Sequence, residues 1–303
     1  MPSLRTLAAT PVLEVGLVIC WSSGFIGGTL ASATTSIYLV LFWRFLLISL
    51  LLLPLAGRGI ARMAPRELAL QALLGAFAMF GYLATLITAI DQGVPAGTAA
   101  LIAALQPLAT AALAGIVVSE PVSARQWLGL LIGFGGVALA VGGGLDQAPL
   151  WGYGLTLLSM ASLVTATLIA RRQPGPSPLL PSLTIQSAVA ALLFLPLALA
   201  DGTLLPEVTG SFAYAVLWFI LFSTLGGYGL YWTCLARTSA TRVSSLIYLT
   251  PPVTTLWAFV MFDQPITLGA VAGFLICLAG VRLAKARRMP GKTAVLPRSC
   301  PNP

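Results

Sequence analysis

An arginine lies deep inside one of the longest apolar segments of the chain. Arg44 stands in the run LFWRFLLI, and no other charged residue occurs between positions 36 and 56. A guanidinium group can hold a carboxylate or a phosphate through two parallel hydrogen bonds. A charge in such surroundings usually serves a function, so Arg44 is our first candidate for binding or steering an anionic group. The alternative is a structural arginine that bonds backbone carbonyls or extends to the polar edge of the segment.

Five aromatic side chains lie within apolar segments rather than at their ends. They are Trp21, Tyr82, Tyr228, Trp232 and Tyr248. A ring that also carries an N–H or O–H group can stack on a planar or cationic ligand and form a hydrogen bond to it. We therefore treat all five as candidates for lining a binding cavity. For each of them the alternative is ordinary packing.

Two prolines lie in the middle of apolar segments that otherwise have a helical pattern. Pro107 and Pro251 each remove one helix hydrogen bond and leave a backbone carbonyl without its partner. We expect a kink at both positions, which acts as a hinge or is a static feature tolerated for packing. Gln106 and Thr250 precede the two prolines, and their side chains can bond the freed carbonyls or line the same cavity.

Ionisable groups suited to acid–base or metal chemistry are scarce. The chain has no His, and its four Cys residues show no paired C-x-x-C spacing. Because catalysis in apolar surroundings needs clustered His, Asp or Glu, we predict no enzyme activity, no cofactor and no metal site. Glu14 is the one carboxylate inside an apolar segment. It is a candidate for carrying a coupling proton, or it lies near lipid headgroups without a special role.

The composition indicates that lipid surrounds most of the chain. Hydrophobic residues make up 58% of the 303 residues and charged residues only 8%, whereas soluble domains have about 25% charged residues. A helix needs about 20 apolar residues to cross a bilayer. A cleaved signal peptide is the alternative for the first apolar segment. We predict ten membrane-spanning helices, at 12–30, 36–56, 68–90, 95–118, 124–143, 150–170, 179–200, 211–235, 243–262 and 266–284.

The distribution of charge along the chain supports this count. If the N-terminus is cytoplasmic and ten helices alternate, 15 of the 16 Lys and Arg residues fall on cytoplasmic segments, and Arg44 is the exception. Cytoplasmic segments of membrane proteins are enriched in Lys and Arg. We therefore predict cytoplasmic N- and C-termini and a basic cytoplasmic tail at 285–303. The net charge of +8 then reports topology, and no nucleic-acid partner is expected.

The chain contains two copies of one pattern. LQPLATAALAGIVVSEP at 105–121 is similar to LTPPVTTLWAFVMFDQP at 249–265, and the register continues without a gap, with 12 identities over the 36 positions from 105 to 140. Each copy belongs to a set of five predicted helices, and an odd number places the second set upside down. Inverted repeats of this kind are typical of secondary transporters, which open a central site to either face in turn.

The chain resembles the EamA-like group of the drug/metabolite transporter superfamily over residues 12–284. Glu120-Pro121 fits the acidic residue that ends a helix in that family, whereas Gln264-Pro265 departs from it, with Asp263 one place earlier. The resemblance implies export of small metabolites, amino acids or drugs across the bacterial inner membrane. It rests on Trp21-Ser22-Ser23-Gly24-Phe25-Ile26-Gly27, on Trp43-Arg44-Phe45, on Gly81-Tyr82 with its counterpart Gly227-Tyr228, and on the two repeated motifs.

These observations predict an all-α integral membrane protein with ten transmembrane helices in two inverted five-helix repeats, at 12–143 and 150–284. The expected function is a secondary transporter of the bacterial inner membrane that exports amino acids, related compounds or drugs by alternating access through a central cavity. An importer and a lipid or head-group flippase of the same fold are the alternatives. The expected partners are a small-molecule substrate and membrane lipid, and one chain with both halves is expected to function as a monomer.

Overall fold

The protein is helical throughout the part that the structure describes. The computed structural model describes residues 4–32, 36–92, 94, 99, 102–141, 149–173, 175, 177–202, 204–205, 209–263, 266 and 268–284. No strand occurs in these ranges. The predicted basic tail at 285–303 and the Gln264-Pro265 pair lie outside the described residues.

The first five helices follow the predicted segments closely, except at two of their starts. The first begins at Leu4 rather than at residue 12, and the fourth begins at Gln106 rather than at residue 95. The five helices are α1 (Leu4–Ser32), α2 (Ile37–Ile60), α3 (Pro65–Leu74, a π-helical part Gly75–Gly81, and Tyr82–Asp91), α4 (Gln106–Val117) and α5 (Ala124–Val141).

The second half contains five further helices. They are α6 (Leu150–Arg171), α7 (Leu179–Ala200), α8 (Gly210–Trp218, a π-helical part Phe219–Tyr228, and Gly229–Arg237), α9 (Ala240–Leu246, a 3-10 turn Ile247–Leu249, and Thr250–Phe262) and α10 (Leu268–Ala284).

Seven helices in the described ranges are long and apolar enough to cross a membrane. These are α1, α2, α3, α6, α7, α8 and α9, whereas α4, α5 and α10 are apolar but shorter. The outward faces carry large apolar side chains such as Leu51, Ile116 and Leu150, which are mostly exposed. Apolar surface on this scale requires a lipid environment. The chain is therefore a multi-pass membrane protein, and the count of ten crossings stays a prediction.

Both halves contain a π-helical part at the same place. The segment Gly75–Gly81 in α3 corresponds to Phe219–Tyr228 in α8. In each half the segment ends at the Gly-Tyr pair that the sequence comparison matched, Gly81-Tyr82 and Gly227-Tyr228. π-Helical parts are rare and often lie at functional sites. The shared irregularity marks α3 and α8 as equivalent helices.

The interruptions of α4 and α9 come before the two prolines rather than at them. A turn at residues 104–105 precedes α4, and the 3-10 turn Ile247–Leu249 divides α9. Pro107 and Pro251 are each the second residue of the helical part that follows. The first turn of a helix needs no backbone N–H donor, so proline is well suited there. The expected kinks are thus helix restarts, and a hinge role at these positions stays a prediction.

The contacts between helices follow a repeated pattern. When two helices pack together, their counterparts, which lie five helices earlier or later in the chain, also pack together. α5 packs on α10 and α2 packs on α7, so these two pairs join counterparts directly. α1 packs on α8 as α6 packs on α3, and α1 packs on α9 as α6 packs on α4. This is the packing that a pseudo-two-fold axis between two repeats produces.

Glycines allow α5 and α10 to approach at backbone distance. A Cβ atom on Gly280 would lie 2.5 Å from the Gly133 nitrogen, and one on Gly136 would lie 2.8 Å from the Gly273 oxygen. Gly136 and Gly280 are the pair that the 144-residue offset relates. Small residues let helix backbones pack closely in membranes. The repeated glycines therefore hold the two halves together at this pair of helices.

The counterpart helices α2 and α7 carry two polar residues at equivalent positions, which the offset of the repeated sequence motif does not pair. Pro54 in α2 and Pro196 in α7 are 142 residues apart, which is two fewer than the offset of the repeated motif. The same 142-residue spacing pairs Arg44 with Gln186. The two halves thus present a cation and a neutral amide at equivalent positions.

Candidate functional site

Arg44 is held by side chains of α8 and by two aromatic rings. Its Nε donates to Thr224 Oγ1 at 2.9 Å, and its Nη2 donates to Ser223 Oγ at 3.0 Å. Its Cζ atom lies 4.5 Å from the centre of the Phe45 ring and 4.6 Å from that of Phe219. The side chain is 1% exposed. Arg44 therefore does not extend to the membrane surface. Its observed hydrogen bonds go to side-chain hydroxyl groups and not to backbone carbonyls.

The charge of Arg44 has no carboxylate partner within the described ranges. The two ion pairs found there join Arg171 to Glu120 and Arg242 to Glu14. Hydroxyl groups and ring faces offset the desolvation of a guanidinium less than a carboxylate does. A buried cation whose partners are neutral is suited to reversible binding of an anionic solute. A binding or steering role for Arg44 stays a prediction.

An aromatic cluster lies between α1, α3 and α8. The Trp21 ring centre is 6.3 Å from that of Tyr82, 5.3 Å from that of Tyr228 and 5.0 Å from that of Tyr231. Trp232 contacts Tyr231 at 5.1 Å. Four of the five aromatic residues singled out from the sequence therefore come together. A fifth ring, Tyr231, which the sequence reasoning missed, contacts both Trp21 and Trp232.

The sequence contained a usable signal for Tyr231. In the run YGLYW, Tyr228, Tyr231 and Trp232 are three and four residues apart, so a helix places them on one face. In the structure the Tyr231 hydroxyl is 2.5 Å from Thr167 Oγ1, and the Tyr228 hydroxyl donates to the Ala78 carbonyl at 2.8 Å. These bonds tie α8 to α6 and α3 at the middle of the bundle.

Tyr248 lies apart from this cluster. It belongs to a smaller apolar cluster with Leu130 and Cys277, at the packing of α5 on α10. A Cβ atom on Gly133 would come within 2.6 Å of the Tyr248 ring. The structure therefore places Tyr248 against the α5–α10 contact, and packing explains its position.

Buried polar atoms without partners surround the interruptions of α4 and α9. Gln106 Nε2 and Thr250 Oγ1 are buried and have no hydrogen-bond partner among the described residues, and the same holds for Thr110 Oγ1. Ser22 Oγ lies 3.3 Å from the Thr250 carbonyl, so α1 covers this region. Buried polar groups are normally satisfied by protein, water or a ligand. These donors therefore do not bond the described backbone carbonyls, and the lining of a cavity by Gln106 and Thr250 stays a prediction.

A cavity of about 550 Å³ with a mixed polar and apolar lining lies between α3, α6, α7 and α8. Gln71, Ser182, Gln186 and Trp232 lie within it, and the exposed Arg237 stands at its mouth. This size is typical of small-molecule sites, which measure about 300–1,000 Å³. Of the residues predicted for a cavity, Trp232 lines this one. The sequence reasoning missed the two glutamines, because a polar residue in an apolar helix does not reveal which way it faces.

Glu14 forms a two-pronged ion pair with Arg242. Arg242 Nε donates to Glu14 Oε1 at 2.5 Å and Nη2 donates to Oε2 at 2.7 Å, which joins the start of α1 to the start of α9. Near the same end, Glu120 accepts from Arg171 and from the Ala240 N–H group of α9. Two carboxylates from the first half therefore anchor the first turn of α9. A coupling role for Glu14 stays a prediction beside this structural one.

A charge exchange separates the two roles of Glu14. Removing one partner of a partly buried pair costs about 3 kcal/mol, so Glu14→Gln and Arg242→Gln should each lower the melting temperature. The double change Glu14→Arg with Arg242→Glu should recover most of the stability and the transport. The check is thermal unfolding and solute release for all four proteins. Recovered stability without recovered transport would instead favour a coupling role for Glu14.

The comparisons with known proteins agree with this geometry. The model of the EamA-like transporter family matches the chain twice, at residues 11–142 and 150–285. A solved protein structure of unspecified function has a TM-score of 0.77 and 20% sequence identity, covering 92% of this chain and 96% of that one. At this identity the likeness concerns the fold alone.

Curated relatives carry transporter names. A Salmonella typhimurium protein named "Probable amino-acid metabolite efflux pump" is 29% identical over 67% of this chain and 71% of its own length. An Escherichia coli K12 protein of the same name is 26% identical over 91% of this chain and 96% of its own length. A "Probable terminal-alkyne amino-acid exporter" of Streptantibioticus cattleyicolor is 28% identical over 76% of this chain and 77% of its own length. With both halves matched by the family model, the chain belongs to the EamA-like transporter family.

Proposed function

We propose that the protein is a secondary transporter of the bacterial inner membrane that exports small metabolites, amino acids or related compounds. The observation that carries the proposal is the cavity of about 550 Å³ between α3, α6, α7 and α8, with Gln71, Ser182 and Gln186 in its lining. Polar side chains inside an apolar helix bundle are costly unless protein groups, a solute or water bind them. The names of the relatives direct the proposal towards amino-acid metabolites.

The proposed mechanism is alternating access between two inverted repeats at 12–143 and 150–284. The repeated contacts between helices support this mechanism. Because the two halves make equivalent contacts, those that close one end of the protein can also form at its other end. In this structure the cavity is open beside Arg237. Away from it, the start of α2 is tied to the end of α7 by a hydrogen bond from Ser36 to Asp201.

The orientation of the protein follows from its charges. Arg171 and Arg237 line the cavity, and the predicted topology assigns both to the cytoplasmic side. We propose that both termini are cytoplasmic and that this structure is open to the cytoplasm. A solute would then enter past Arg237, pass the aromatic cluster around Trp21 and reach Arg44. One chain supplies both halves, which supports a functional monomer.

The proposed export is tested by the medium around cells that overproduce the protein. We expect amino acids or their derivatives to accumulate outside cells that make the parent protein, relative to cells with an empty vector. Mass spectrometry of the medium and of the cell extract measures both pools. The proposal fails if solutes rise inside the cells and fall outside, since that result means import. Unchanged solutes with a redistributed lipid would indicate flipping.

A further inference from the structure

The cavity between α3, α6, α7 and α8 has an unusual balance of charge. Arg171 and Arg237 line it, and none of the described residues that do so is an Asp or a Glu. Glu120 lies beside Arg171 but is already engaged by that guanidinium and by the Ala240 N–H group. Arg237 is exposed and forms no ion pair with a described residue. The entrance therefore carries a net positive charge.

A directed chain of hydrogen bonds runs along the cavity wall. Trp232 Nε1 donates to Gln186 Oε1 at 2.8 Å, and Gln186 Nε2 donates to Gln71 Oε1 at 2.7 Å. Gln71 Nε2 donates to Ser177 Oγ at 3.0 Å, and this hydroxyl donates to Gln173 Oε1 at 2.8 Å. Each glutamine is held as an acceptor and a donor at once, so both amides are fixed in orientation. Each amide nitrogen keeps a second N–H group.

One hydroxyl in the cavity is unused. Ser182 Oγ has no hydrogen-bond partner in the part of the chain that the structure describes, although the residue is only 5% exposed and lines the cavity. A buried hydroxyl without a partner costs free energy. The neighbouring Thr184, on the same helix, bonds the Leu180 carbonyl within the helix instead. Ser182 is thus a polar group that a ligand can satisfy.

We propose that this cavity selects solutes that carry a carboxylate and whose other polar groups are neutral, such as N-acylated amino acids. The proposal deepens the proposed function, on which it rests, by naming the substrate class of the cavity. Arg237 attracts the carboxylate, and the Ser182 hydroxyl with the two amides bonds a neutral carbonyl or N–H group. Leu74, Leu179 and Leu235 complete the lining for an apolar side chain.

A cationic solute finds the opposite conditions. An ammonium group entering past Arg237 meets like charge, and no carboxylate of the described lining replaces its lost water. The glutamine amides are fixed in orientation. Turning them so that only their oxygen atoms face the cation would break the hydrogen-bond chain. Free amino acids, which carry both charges, should therefore bind less tightly than their N-acylated forms. Amine-type drugs should bind least.

Three compounds that share the leucine side chain but differ in charge test this order of affinities. N-acetyl-L-leucine is an anion, L-leucine is a zwitterion and L-leucinamide is a cation at neutral pH. The purified full-length protein is titrated with each in lipid nanodiscs, and binding is followed by isothermal calorimetry. We expect the anion to bind at least about tenfold more tightly than the cation, with the zwitterion between them. Equal affinities, or tighter binding of the cation, would overturn the proposal.

Two variants assign the selectivity to the cavity. Ser182→Ala should weaken binding of N-acetyl-L-leucine by about threefold to tenfold without lowering the melting temperature, since the hydroxyl has no partner to lose. Thr184→Ala is the matched control on α7 and should leave binding unchanged. Gln186→Glu keeps the shape of the side chain but adds a negative charge, and should favour L-leucinamide over the anion.

The outcomes separate this proposal from the proposed function. An unchanged order of affinities in a folded Gln186→Glu protein would overturn the selectivity proposal, as would a failure of all three probes to bind the parent. Export measured in the medium of overproducing cells would still stand in either case. If export is absent while the order of affinities is as expected, the cavity binds these anions without exporting them.

Discussion

Replacing Arg44 by Ala is expected to reduce export to below about a tenth of the parent rate. Hydrogen bonds to a charged group contribute about 1.5–3 kcal/mol, and about 1.4 kcal/mol corresponds to a tenfold change in affinity. Arg44 is buried, and its partners in the described ranges are hydroxyl groups and rings rather than carboxylates. The proposed substrate role needs such a guanidinium without a carboxylate partner. The measurement is the release of a labelled amino acid from preloaded cells at matched membrane abundance.

Two further variants decide whether Arg44 acts on the substrate or on the fold. Arg58→Ala removes an exposed arginine from the same helix and should leave export unchanged. Arg44→Lys keeps the charge but loses the two-pronged geometry, so an intermediate rate is expected. A structural role alone would lower the melting temperature and leave substrate affinity intact. Parent-level export by a folded Arg44→Ala protein would contradict the substrate role.

Replacing Gly280 by Ala is expected to prevent stable packing of α10 on α5. The added Cβ atom would lie 2.5 Å from the Gly133 nitrogen and 2.6 Å from the Gly129 oxygen. These are backbone atoms that cannot turn aside, so the two helices must separate along their contact. Overpacking of this kind costs about 1–3 kcal/mol, and backbone clashes lie at the upper end. We expect a large fall in the yield of folded protein and in its melting temperature.

Gly135→Ala is the matched control for this change. Gly135 lies in α5 next to Gly136, but a Cβ atom there would have no heavy atom within 4 Å. Alanine favours a helix by about 1 kcal/mol over glycine, so this variant should be as stable as the parent or slightly more stable. Equal stability of the Gly280→Ala and Gly135→Ala proteins in detergent would show that α5 and α10 do not pack as described.

The helical architecture was largely predictable because membrane-spanning helices are long apolar segments, which are easily recognised in a sequence. The apolar lengths located most helix ends to within a few residues, but the first helix begins at Leu4 rather than at residue 12, and α4 begins at Gln106 rather than at residue 95. The gapless repeat identified α4–α5 and α9–α10 as counterparts because their prolines and glycines have fixed steric roles. The match of Arg44 to Gln186 was missed, since α2 and α7 are related by a different offset and share few residue types.

The candidate site was less predictable because its residues meet across the bundle. Glu14 and Arg242 are 228 positions apart, and sequence spacing alone gives no reason to pair them. Gln71 and Gln186 lie in apolar helices where a polar residue can face lipid headgroups, a neighbouring helix or a cavity. Tyr248 was expected with the other aromatic residues, but the small side chains of Gly133 and Cys277 make room for it elsewhere.

Release from proteoliposomes tests transport by the purified protein in the absence of other cell components. Vesicles containing the protein are loaded with a defined mixture of amino acids and their N-acetyl derivatives, and mass spectrometry follows the external medium over time. We predict faster release of at least one of these compounds from vesicles with the parent protein than from vesicles with Arg44→Ala or without protein. Release from parent vesicles no faster than from protein-free vesicles would contradict the proposed transport.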